Sequence, residues 1–148
     1  MKRSLNPKRF FTPDEEKGIV AAIGEAERKT SGEIRVHLVK HCWGDPYEEA
    51  VKVFEKVGMT RTVERNGVLI YLALKNHQFA VIGDIGIHEK VPPHFWEKIR
   101  DAMQDDFQKG DFAKGIVDGI RTCGMELARF FPRRAEDKNE LTDQISRE

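Results

Sequence analysis

Val68-Leu69-Ile70-Tyr71-Leu72-Ala73-Leu74 is apolar at nearly every position. Seven residues are too few for a buried helix, and β-branched and aromatic side chains favour extended backbone. A strand with no polar face must be covered on both sides. The rest of the chain therefore has to supply helices for two layers around a sheet, which makes the fold α/β.

Upstream, Glu33 to Lys40 alternates, with Ile34, Val36 and Leu38 on one side and Arg35, His37 and Val39 on the other. That pattern predicts a half-buried strand. Between the two strands, Asp45-Pro46-Tyr47-Glu48 carries helix-start signals. Tyr47, Ala50, Val51, Phe54 and Val57 follow as an inner stripe, with Gly58 at the end. Strand, helix and strand in that order imply a right-handed crossover between parallel strands. Earlier still, Thr12-Pro13-Asp14-Glu15 reads as a capping box opening a helix with Ile19, Ala22, Ile23 and Ala26 on its apolar face.

Downstream, Asn76-His77 predicts a tight turn and Phe79 to Ile82 a returning hairpin strand that ends at Gly83-Asp84. Val91-Pro92-Pro93 introduces a third helix with Trp96, Ile99, Met103 and Phe107 inward, stopped by Gly110. Asp111 caps a fourth, with Phe112, Ile116, Ile120, Cys123 and Leu127 inward. Gly115 and Gly119, one turn apart, predict close approach of this helix to the sheet, since each glycine weakens a helix by about 1 kcal/mol. The expected order is α-β-α-β-β-α-α, a small mixed sheet with helices on both faces.

The chain has 148 residues, which suits one core. Residues 1–10 read as a basic flexible segment, 11–132 as the single domain and 133–148 as an acidic, disordered tail. Lys and Arg number 25, as do Asp and Glu. Zero net charge and the lack of an aromatic ladder among basic residues argue against nucleic acid as a partner. No apolar run approaches the roughly 20 residues that span a bilayer, and no apolar h-region follows the basic start. These features predict a cytoplasmic monomer without a membrane partner. Cys42 and Cys123 are too few for a secreted disulfide framework, so free thiols are expected.

Four motifs stand in order along residues 11–130: Arg28-Lys29-Thr30-Ser31-Gly32-Glu33-Ile34-Arg35-Val36, Glu64-Arg65-Asn66-Gly67-Val68-Leu69, Gly83-Asp84-Ile85-Gly86-Ile87 and Gly110-Asp111-Phe112-Ala113-Lys114-Gly115-Ile116. Together they make the chain resemble the TPM domain family, as a stand-alone bacterial-type member. The resemblance implies a Rossmann-like α/β/α sandwich. It also implies a range of roles: acid-phosphatase-like, photosystem II repair in the thylakoid lumen, or receptor accessory. Divalent-metal binding, calcium included, is implied for some members. Most members carry a signal peptide and an anchor, which are not read here. Many also have Gly-x-Gly-Leu-Glu after the hairpin, where this chain has Gly83-Asp84-Ile85-Gly86-Ile87-His88-Glu89.

Topology selects a candidate site. Two parallel strands start at Glu33 and Asn66, and a reversed third strand returns Asp84 to the same edge, beside Glu64 and Arg65. Asp111 joins them if the third helix ends there. Carboxylates with an amide oxygen are hard donors that suit Ca²⁺ or Mg²⁺. Glu33, Asn66, Asp84 and Asp111 are thus the metal-ligand candidates, and Asp84, Glu33 and Arg65 the catalytic ones. A metal there would activate water, and Arg65 would hold a phosphate monoester. The bland reading makes Glu33 and Asp84 strand-end residues on a wet rim and Asp111 a helix cap.

No Cys-x5-Arg loop, Asp-x-Asp-x-Thr pattern or Gly-rich phosphate loop is present, and no nucleophile stands beside a base in the sequence. His37 and His41 share a strand face about 13 Å apart, too far for one metal. His77, His88 and His94 read as isolated surface residues. Two functions follow. One is a metal-assisted phosphatase acting on a phosphorylated substrate. The other is a non-enzymatic module, tuned by calcium, that binds a protein partner.

Overall fold

The computed structural model describes residues 3–133 and 145–147. The elements are α1 (Pro13–Glu27), β1 (Glu33–Val39), α2 (Pro46–Lys56), a 3-10 turn (Met59–Arg61), β2 (Gly67–Ala73), β3 (Gln78–Gly83), α3 (Ile85–His88), α4 (Phe95–Gln108), α5 (Phe112–Phe130) and β4 (Ser146–Arg147). The sheet is mixed, in the order β3-β2-β1-β4. β1 runs parallel to β2 with Glu33 opposite Gly67, and β3 returns antiparallel with Gly83 opposite Val68.

The central strand β2 is buried throughout. Its Val68, Ile70 and Leu72 face α1, α4 and α5, and its Leu69, Tyr71 and Ala73 face α2. α1 begins as its sequence requires: Thr12 accepts from the Glu15 backbone, and the Glu15 side chain accepts from the Thr12 backbone. Such a box contributes about 1 kcal/mol. Asp45 caps α2 by accepting from Glu48 N, and Gly58 leaves that helix at φ 80°.

The packing departs from the sequence pattern in several places. β1 is buried on both faces apart from Arg35, not half-buried, because the side carrying His37 and Val39 lies under the α2 layer. α2 turns Ala50, Val53 and Phe54 inward and leaves Tyr47 and Val51 exposed. Among the described residues it is the only long helix on its face, so no second helix there covers its flank. Gly115 and Gly119 serve helix packing, not an approach to the sheet. A Cβ on Gly115 would lie 2.4 Å from Phe107 Cε1 of α4, and one on Gly119 would lie 2.5 Å from Met103 Cγ. Gly124 meets α1 in the same way, at 2.7 Å from Ala26 Cβ. α5 is thus wedged between α1 and α4.

Besides the 3-10 turn, two elements are additional to the expected order. α3 is a single turn capped by Asp84, which accepts from Ile85 N. β4 pairs in parallel with the outer edge of β1, Ser146 opposite His37 and Arg147 opposite Leu38. Ile145 beside it is buried in the main core. In the segment expected as a basic tail, Pro7 and Phe10 are buried and Arg3 binds both carboxylate oxygens of Glu15 at 2.6 Å. Residues 134–144, most of the expected acidic tail, lie outside the described residues.

Candidate functional site

The polar residues gather where β1 and β2 begin. Asp84 N donates to Gly67 O at 3.0 Å, and Gly86 N donates to Arg65 O at 2.9 Å. The segments before β2 and after β3 therefore cross in backbone contact. A Cβ on Gly86 would stand 2.1 Å from Glu64 O and 2.7 Å from Arg65 O. Only glycine permits this crossing. Arg65 takes up the remaining strain at φ 52°, a conformation disfavoured for a residue with a Cβ.

The crossing sets Arg65 against Asp84. Arg65 Nε donates to Asp84 Oδ2 at 2.6 Å and Nη2 to Oδ1 at 2.9 Å, a bidentate pair. Asp84 is buried, whereas the Arg65 side chain is 46% exposed. The hydrogen bonds it donates to Asp84 hold the Arg65 guanidinium above its ordinary pKa. Beside this pair, the Ser31 hydroxyl donates to Glu64 Oε2 at 2.7 Å. Asn66 Nδ2 donates to Ser31 Oγ at 3.2 Å and to Glu64 Oε2 at 3.1 Å. Asn66 itself is buried, and its backbone N donates to Thr62 Oγ1. Glu33 is 2% exposed at the head of β1.

The edge thus brings Glu64, Arg65, Asn66 and Asp84 together with Ser31, and the register sets Glu33 opposite Gly67 at the head of β1. Asp111 stands elsewhere. α4 starts near Gly83, where Trp96 occupies the place of a Cβ, and ends near the β2–β3 turn, where Phe107 packs on Phe79. Its C-terminus therefore leads away from the rim. Asp111 acts instead on Arg3, which lines a cavity with Leu74, His77 and Gly110 at the far end of the sheet. Its side chain makes no capping bond, so it holds the N-cap position without the expected hydrogen bond.

Ser31 is the residue that strand reasoning overlooked. It stands two residues before Glu33, and Arg65 two before Gly67, so the register already set the two approaches side by side. Glu64, read only as a neighbour of the edge, is the carboxylate that receives the Ser31 hydroxyl. Sequence reading found no nucleophile beside a base, and the fold supplies that juxtaposition from segments 33 residues apart.

The histidines make separate contacts. His37 is buried, with Nδ1 2.7 Å from Ser146 Oγ, and His41 packs edge-on to Trp43. His88 Nε2 lies 3.1 Å from Gly83 O. Both cysteines are free and buried, and burial pushes the Cys123 thiol far above its ordinary pKa. Among the described residues, no three His, Cys, Asp or Glu side chains converge as a metal-binding group. A cation at the rim would therefore depend on hydroxyl, amide and backbone carbonyl oxygens beside Glu64 and Asp84. These are all hard donors of the kind calcium and magnesium take.

The architecture defines a three-layer α/β domain with a mixed four-stranded sheet and a polar rim at the heads of its parallel strands. The family model for the TPM domain matches residues 5–126, and the chain belongs to that family. Among solved structures it is similar to the BA42 protein of the psychrophilic bacterium Bizionia argentinensis. That match has 44% identity and a TM-score of 0.92, and covers 98% of this chain and 100% of the other. The N-terminal domain of cg2496 from Corynebacterium glutamicum shares the fold at 16% identity and TM-score 0.64, over 78% of this chain and 72% of that one. So does the N-terminal domain of a protein from P. gingivalis, at 16% identity and TM-score 0.63, over 85% and 83%. No curated protein matches the chain. Among the described residues, no helix is long and apolar enough to cross a membrane.

Proposed function

We propose that this TPM domain is a binding module whose polar rim takes a divalent cation, calcium or magnesium, and through it an anionic partner. The reading rests on the backbone crossing at Gly86, which brings the oxygens of Ser31, Glu64, Asn66 and Asp84 to one edge. Glu33 lies behind them at the head of β1. Arg65 is the internal stand-in for the cation, since its guanidinium already neutralises Asp84 from a largely solvated position. A divalent ion must displace it, so binding is weak and responsive rather than permanent. The test is thermal unfolding with calcium or magnesium against chelator. A ligand at 100 times its dissociation constant adds about 2.7 kcal/mol to native-state stability. A melting temperature indifferent to both ions removes this reading.

The Ser31–Glu64 contact favours a second reading, a phosphomonoester hydrolase. A hydroxyl bonded to a carboxylate at 2.7 Å is a nucleophile beside a base, and the half-exposed Arg65 is suited to a phosphate oxygen. A generic phosphomonoesterase assay, with and without chelator, tests it. Turnover should fall in Ser31→Ala and in the Glu33→Ala, Asp84→Ala double variant. Turnover unchanged by these substitutions removes it.

A further inference from the structure

The outer edge of β1 is covered in an unusual way. At its start, the Glu27 side chain takes the Ile34 N–H at 2.9 Å. Further along, among the described residues, β4 covers His37 and Leu38, two of the seven residues of β1. Exposed strand edges are ready templates for another extended segment, and proteins cover them for that reason. Here the cover is a short piece of the chain's own C-terminal region.

Three side chains fix that piece, and each has a dedicated receiver. Ile145 enters the main core. The Ser146 hydroxyl lies 2.7 Å from His37 Nδ1 and 3.3 Å from Val36 O. Arg147 pairs with Glu16 and donates from Nε to Pro7 O at 3.2 Å. The receivers come from β1, α1 and the N-terminal segment, so the edge selects an apolar, hydroxyl and basic triplet in extended form. Strand addition of this kind takes affinity from the backbone and specificity from alternate side chains.

We propose that the β1 edge is a docking site for an extended peptide of a partner protein carrying an apolar residue, then Ser or Thr, then Arg, and that Ile145-Ser146-Arg147 occupies it in cis. The tethered segment competes at an effective concentration in the millimolar range, so the partner binds appreciably only when β4 is displaced. This site is separate from the polar rim and does not depend on what the rim binds.

The experiment uses the full-length chain labelled with ¹⁵N, as wild type and as a Ser146→Pro, Arg147→Glu variant that releases β4. The probe is a synthetic octapeptide with the sequence of residues 141–148. Shifts are expected at the His37, Leu38 and Glu16 amides, with affinity at least about tenfold tighter in the released variant. Peptides with Ala in place of the Ser or the Arg should lose most of the effect. No shifts in a folded released variant at millimolar peptide overturn the proposal. If that variant does not fold, wild type at several millimolar peptide decides the matter, since the same amides must respond with the same sensitivity to Ala. Concentration-dependent dimerisation of wild type that Ser146→Pro abolishes would give the edge to a second copy and overturn the partner assignment.

Discussion

The two ends of the sheet are built from opposite materials. At the heads of β1 and β2 the backbone crosses itself, and Ser31, Glu64, Arg65, Asn66 and Asp84 bond to one another. At the far end, around the β2–β3 turn, Leu5, Phe10, Leu74 and Phe112 line a cavity of about 540 Å³ with Arg3 and His77 at its margin. Polar residues at the first end have their geometry fixed by close backbone contact. Apolar residues at the second line an open hollow, with Phe10 edge-on to Phe112. Chemistry that needs oxygens in set positions belongs at the crossing, and tolerance to change belongs at the far end.

That contrast is sharpest in a pair of glycines. Gly86→Ala drives a Cβ into the Glu64 carbonyl and should lower stability by about 3 kcal/mol, or abolish folding, in urea unfolding. Gly44, after β1, has nothing within 4 Å of a Cβ. Gly44→Ala should shift stability by no more than about 0.5 kcal/mol. Similar losses at both positions would break the comparison.

Two aspartates make the next test. Asp84→Ala loses the Arg65 pair and the cap on Ile85 and should cost about 2 kcal/mol. Asp45→Ala loses only the cap on Glu48 and should cost about 1 kcal/mol. Equal losses would mean that the Arg65 pair contributes nothing at the rim.

The smallest effect is in acid, at the cavity end. The hydrogen bonds from Arg3 hold the Glu15 carboxyl down at about 2, well below its ordinary value near 4.5. A depressed carboxyl pKa stabilises the fold above the unfolded value, and that contribution is lost as pH falls through the folded value. Stability should therefore decline from about pH 4.5 toward pH 2. The decline should be shallower in Glu15→Gln, which keeps the cap but not the charge. An unchanged slope in urea unfolding across that range would remove Glu15 from the account.

The sequence carried the architecture because its signals are local. A nearly all-apolar β2, capping residues at Thr12 and Asp45, and a turn at Asn76-His77 each follow from nearest neighbours. The antiparallel return of β3 then sent Asp84 to the rim where β1 and β2 begin, beside Arg65, by direction alone. What escaped notice depended on distant partners. Ser31 meets Glu64, and Ser146 meets His37 across 109 residues; no local pattern marks either meeting. Gly115 and Gly119 announced a close approach without saying to what, and α4 rather than the sheet fills the space. Asp111 was misjudged because its position depends on which way α4 runs, and periodicity fixes a helix's face but not its direction across a sheet.

The most direct test of the rim is a titration of the ¹⁵N-labelled chain with calcium and with magnesium, followed amide by amide. Shifts are expected at Ser31–Glu33, Glu64–Gly67 and Asp84–Gly86 alone, strongly reduced in Asp84→Asn, with the far end silent. Shifts centred on Asp111 and His77, or none at all at millimolar ion, would contradict a cation site at the rim.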